Sequence, residues 1–199
     1  MAANATGADT EPAQRLPRLS GRTQPGAGRF RDAGIEPAGP GAGEYLPAVT
    51  ANPTVLRLWL RRTPGGPMLP ATSLDAVTGV GLTGDHTYGR MRHVTIVFED
   101  DWNAAAATLG RAVDPAGRRA NVLVSGGGGA ALVGTTIRVG AVRIDVKGIT
   151  QPCPVMDAAA PGMQAALRPG GLAGVWGRIA AGGTIRPGDA LTVESDASV

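Results

Sequence analysis

The sequence predicts a mainly β fold, a barrel-like domain over residues 49–199 with a few short helices, behind a Pro/Gly-rich tail over residues 1–48. Three observations lead there. Apolar residues come in short β-prone runs, glycine turns separate those runs, and helical spacing is confined to two segments. Ahead of residue 49, stretches such as Gln24-Pro25-Gly26-Ala27-Gly28 hold no sustained apolar period. They cannot bury enough surface to offset the entropy of ordering, so the tail is expected to be disordered.

The elements follow in order. Val55, Leu56, Leu58, Trp59 and Leu60 make a first strand, which ends at the loop Arg61-Arg62-Thr63-Pro64-Gly65-Gly66. Residues 93–98 form a second strand, and Glu99, Asp100 and Asp101 then supply acids and a cap for a helix over 102–109 that stops at Gly110. Residues 121–124 read as a strand, closed by Ser125 and four glycines. That glycine stretch lacks the Gly-Lys-Ser/Thr ending of a phosphate loop and is read as a flexible connection. Residues 136–146 alternate with period two on both sides of Gly140, a hairpin signal. A short helix is expected over 162–167, and strands over 175–179 and 190–193 flank a glycine-rich turn.

Charge narrows the partners. Of the 19 cations 18 are arginine, Lys147 being the sole lysine, and the net charge is only +3. That is too little and too scattered for a phosphate-tracking surface, so no nucleic acid is expected. Arginine is the better fork for discrete phosphates and carboxylates, which points to a small anionic ligand. No apolar run approaches the roughly 20 residues of a bilayer span, and a single cysteine permits no internal disulfide. No membrane partner and a cytoplasmic location are the expectations.

That cysteine, Cys153, stands between prolines in Gln151-Pro152-Cys153-Pro154. A lone thiol is commonly a small core filler, or else a nucleophile or a soft metal ligand. Asp85 and His86 form a second cluster: an Asp beside Gly84 most often caps its own turn, while His86 suits hydrogen bonding or proton transfer near neutrality. His93, at the start of a strand, reads as structural. Two histidines without Cys or carboxylate at ligand spacing do not make a zinc site.

Gly81-Leu82-Thr83-Gly84-Asp85-His86, Arg92-His93-Val94, Arg118-Arg119-Ala120-Asn121, Gln151-Pro152-Cys153-Pro154 and Gly182-Gly183-Thr184-Ile185-Arg186-Pro187-Gly188-Asp189 follow one another along the chain. Their order resembles the MOSC domain, the family named for the C-terminal domain of molybdenum cofactor sulfurase. It departs at Thr87, where many members carry an aromatic or a second histidine. It implies a β-rich barrel that binds the molybdenum cofactor or carries sulfur for it. Cys153 would be the reactive sulfur and the metal ligand, with Asp85 and His86 as catalytic candidates beside it.

Arg118, Arg119, Asn121 and Gln151 are the expected cofactor-binding residues. The two arginines would take the phosphate, partly solvated, and the Asn121 amide the pterin edge. An ordinary thiol is only a few per cent ionised at neutral pH, so nearby arginines would have to favour the thiolate. One expectation is reduction of N-hydroxylated compounds with an external electron-donor protein. The alternative is a persulfide carrier served by a sulfur-donor protein, or a cofactor-binding module without turnover. Pyridoxal phosphate is not expected, because Lys147 lies on a hairpin strand and the chain has no room for a pyridoxal fold.

Overall fold

Around Gly140 the chain reverses in two residues, and strands β7 (Thr136–Val139) and β8 (Val142–Ile149) pair antiparallel with Val139 opposite Val142. Gly140 has φ of 56°, the left-handed conformation that such a turn requires and that glycine adopts without strain. The computed structural model describes residues 49–194; the tail expected over residues 1–48 lies outside the described residues.

The large sheet is built outward from that hairpin. Strand β8 pairs with β9 (Val175–Ala181), β9 with β5 (Val94–Phe98), β5 with β6 (Val122–Val124), and β6 with β1 (Val55–Leu60). On the far side β7 pairs with β11 (Leu191–Val193). The ends of this order meet: Val55 N donates to Asp189 O at 2.8 Å and Leu191 N to Pro53 O at 2.8 Å, around a bridge between Thr54 and Ala190. Seven strands therefore close on themselves. The second half of β1 carries an eighth, β2 (Leu69–Ala71). A smaller sheet of β10 (Gly183–Ile185), β3 (Leu74–Val77) and β4 (Gly81–Leu82) packs Leu74, Leu82 and Ile185 into the same core.

β5 and β6 run parallel, and parallel neighbours need a crossover. Helix α1 (Glu99–Ala107) provides it and covers the outer face of the pair. These strands are consequently apolar on both faces: Val94, Ile96, Phe98, Val122 and Val124 fill the barrel, while Val97 and Leu123 pack outward against Trp59, Trp102 and Ala105. Each such side chain contributes about 1.5–3 kcal/mol on burial. Helix α2 (Met163–Ala166) adds Met163 to the outer layer.

Three sequence expectations need correction. The acids ahead of the first helix do not cap it: Glu99, Asp100 and Asp101 lie in its first turn, and its N-cap is Phe98 with no side-chain bond. Asp101, only 2% exposed, turns instead to the glycine loop, accepting from Gly128 N at 3.0 Å and Gly129 N at 3.2 Å. The glycine stretch is thus a pinned, buried turn rather than a loose connection. Finally, the region between β9 and β11 is not a simple turn, because it contains β10.

Candidate functional site

Four segments meet at one end of the barrel: the end of β1, the loop after β4, the turn before β6, and the loop after β8. They enclose a cleft of about 570 Å³ lined by Asp85, His86, Arg118, Arg119, Asn121, Gln151 and Cys153. All seven residues singled out in the sequence share that one cleft.

Asp85 anchors the loop after β4. It is 5% exposed, and its Oδ1 accepts from Thr87 N at 2.9 Å and Thr87 Oγ1 at 2.7 Å. Oδ2 accepts from Arg61 N at 3.1 Å and Asn121 Nδ2 at 3.0 Å. Burial alone would push this carboxyl up, but the bonds from Thr87 and Arg61 and the nearby His86 outweigh it and hold Asp85 below the usual carboxylate range. Asn121 completes the brace, because its Oδ1 accepts from Thr95 N at 3.1 Å while Nδ2 also faces Trp59 O at 3.4 Å. Every polar atom of Asn121 is engaged by protein, which leaves its amide no donor for a pterin edge.

His86 lies between Asp85 and Arg61. Arg61 Nη2 is 2.6 Å from His86 Nε2, and arginine can only donate, so Nε2 accepts. His86 Nδ1, 3.0 Å from Asp85 Oδ1, is then the donor to the carboxylate. Both ring nitrogens thus face protein groups, and His86 fixes the Arg61 guanidinium at the cleft wall. Burial, then the charge of Arg119, pulls Arg61 below its ordinary value, while Asp85 and Cys153 act the other way. In the sequence Arg61 reads only as the start of a loop. The available signal was a charged pair, Arg61-Arg62, directly closing a buried apolar strand.

Arg118 departs from expectation most. It is 6% exposed rather than partly solvated; its Nε donates to Ala173 O and its Nη2 to Thr150 Oγ1. Gly174 makes this possible, since a Cβ there would stand 2.2 Å from Ile96 O, so only glycine lets the Ala173-Gly174 backbone lie against β5. Burial pulls Arg118 down to about 10, partly opposed by Cys153 and reinforced by Arg92, and the group remains a cation at neutral pH. Arg119 is held with φ of 62° and ψ of 32°, a left-handed conformation rare for a side chain of its size. One Nη of Arg119 donates to Gly66 O at 2.5 Å, and its Nε is buried with no partner among the described residues.

Cys153 is exposed and precedes a 3-10 turn, Pro154–Ala158, whose Met156 N donates to Cys153 O at 2.9 Å. Its sulfur lies within electrostatic reach of Arg61 and Arg118. Gln151 is exposed at the rim. His93 is buried with Nδ1 accepting from Ile179 N at 3.0 Å, a structural role. Lys147 pairs with Asp145 at 3.1 Å on β8 and does not line the cleft. No cluster of three or more His, Cys, Asp or Glu among the described residues would hold a metal ion by itself. No helix among them is long and apolar enough to cross a membrane.

Comparison with known proteins gives one family and several solved structures of similar fold. A family model described as the MOSC domain matches residues 83–192, more than half of the chain. Among solved structures, the YuaD protein of Bacillus subtilis is 20% identical with a TM-score of 0.61, over 70% of this chain and 94% of that one. YiiM of Geobacillus stearothermophilus is 15% identical with a TM-score of 0.58, over 72% and 75%. YiiM of Escherichia coli is 19% identical with a TM-score of 0.55, over 75% and 73%. No curated protein matches.

Proposed function

Since this chain belongs to the MOSC domain family, associated with molybdenum-cofactor proteins, we propose that its cleft holds that cofactor beside Cys153 and reduces N-hydroxylated compounds. One observation carries the reading. Among the described residues a buried cation, Arg118, has no carboxylate partner, and the Nε of its neighbour Arg119 has no hydrogen-bond partner. Buried charge without a counter-charge is costly, and an incoming phosphate would supply one to both arginines.

The donor set fits the group. Arg118 and Arg119 would meet its phosphate, and the Cys153 thiolate is a soft ligand suited to molybdenum. When bound, the cofactor supplies a centre that exchanges two electrons, the number that converts an N-hydroxyl group with two protons to N–H and water. An external protein must deliver the electrons, because the chain carries no haem, flavin or iron–sulfur motif. Asp85, Asn121 and His86 act by position: they hold Arg61 at the wall and leave Cys153 open. Gln151 offers its amide at the rim.

A second reading has its own observation. Cys153 is exposed at the start of a turn, where another protein's sulfur can reach it, as a persulfide carrier requires. Metal analysis and intact mass of the purified protein separate the two. Stoichiometric molybdenum supports the reductase; metal-free protein carrying about 32 Da on Cys153 supports the carrier. Protein with neither overturns both.

A further inference from the structure

The cleft holds more positive charge than a cofactor phosphate answers. Arg61, Arg90, Arg92, Arg118 and Arg119 line it against one carboxylate, Asp85. None of the five makes an ion pair among the described residues. Asp85 offsets one of the five charges, and a phosphate monoester of about two negative charges still leaves about two cations without a counter-charge.

Two of the five are well placed to be those left over. Arg61 spends Nη2 on His86 Nε2, and its Nη1 has no hydrogen-bond partner among the described residues. Arg92 makes no side-chain hydrogen bond among them; its guanidinium is steadied by the Trp176 ring, 5.4 Å from the centroid, with its donors free. The same cleft has an apolar rim. Met91 is 72% exposed and Val155 45% exposed, and both line the opening together with Met68. Exposed methionine beside charge makes an adaptable surface for an apolar body.

We propose that the small-molecule substrate of this cleft is an amphiphilic anion, with an apolar body on Met68, Met91 and Val155 and an oxyanion, phosphate or carboxylate, on Arg61 and Arg92. This rests on the preceding reading insofar as the cofactor's phosphate occupies Arg118 and Arg119. Anionic compounds then enter along the field of the cleft, and neutral analogues of the same shape are disfavoured.

The test is calorimetric binding of three probes, benzoate, phenyl phosphate and benzamide, to the full-length purified protein. Each anion is expected to bind about 10-fold more tightly than benzamide in about 50 mM salt, with the gap shrinking in about 500 mM salt. Arg92→Gln, at an exposed position, and Arg61→Gln are each expected to weaken the anions about fivefold or more and to leave benzamide unchanged. The tighter of the two anions identifies the oxyanion. Equal binding of benzamide overturns the inference. So does anion binding that is lost in Arg119→Ala but indifferent to Arg61 and Arg92. Molybdenum measured in the same sample keeps the readings apart: metal present with equal probe binding removes only this inference, and metal absent with the Arg92-dependent preference intact removes only the cofactor.

Discussion

Arg119 concentrates the argument at the scale of a single residue. A left-handed backbone at φ of 62° is a place for glycine, and a long cation there gives up backbone stability to aim its guanidinium. Arg119→Gly is therefore expected to hold or raise the thermal midpoint, by up to about 1 kcal/mol in stability, while weakening cofactor binding. A clear loss of stability would mean that its bond to Gly66 O holds the fold together. Arg118 behaves oppositely. Its removal strips a buried donor from Thr150 and Ala173, so Arg118→Ala should cost about 1–3 kcal/mol by chemical denaturation. An unchanged midpoint would show that these bonds contribute little.

Why these two arginines differ was not legible in the sequence, where they are adjacent. Arg118 closes a 3-10 turn pointing inward, and the left-handed step at Arg119 sends the next side chain another way. Asn121 lines the cleft, but its partners were not foreseeable, because Asp85 lies 36 positions away and is brought close only by the sheet. Arg61 was missed for the same reason: its contact with His86 spans 25 positions.

Elements with a long, regular pattern were readable, and of the short ones only β6, β11 and α2 were. The hairpin of β7 and β8 follows from period-two alternation around Gly140, and α1 from its alanine-rich run. Strands β2, β3, β4 and β10 run for two to four residues, too short for a period to declare itself. The role of Asp101 was hidden because the glycine loop that it pins follows much later in the chain. Burial raises the Asp101 carboxyl above its ordinary value, outweighing the bonds from Gly128 and Gly129. An acid raised in the folded state contributes stability that is full below its unfolded value of about 4 and is lost as pH rises through the folded value. Asp101→Asn, which presents an amide donor to one glycine N–H, should cost about 1–3 kcal/mol at acidic pH. The gap between wild type and mutant should narrow as pH rises through the folded value of Asp101; a gap that widens would contradict the account.

For the whole molecule, closure of the barrel between Pro53-Thr54-Val55 and Asp189-Ala190-Leu191 is the decisive feature. It was legible only as a fold class, since nothing local marks those two segments as partners. Because the ring closes within residues 49–194, a chain starting at Val49 is expected to fold with a thermal midpoint within about 5 °C of the full chain. A larger drop would mean that residues 1–48 contribute to the stability of the barrel.

The cofactor site proposed for this closed barrel stands on Cys153, Arg118 and Arg119. The most direct measurement is molybdenum per chain, in protein purified from cells that make the cofactor, for wild type and Cys153→Ser side by side. Serine nearly keeps the volume and the site is exposed, so both proteins should melt alike, while wild type carries close to one molybdenum and the mutant carries little. Equal molybdenum in both proteins would contradict the assignment of Cys153 as the ligand, and no molybdenum in either would contradict the cofactor itself.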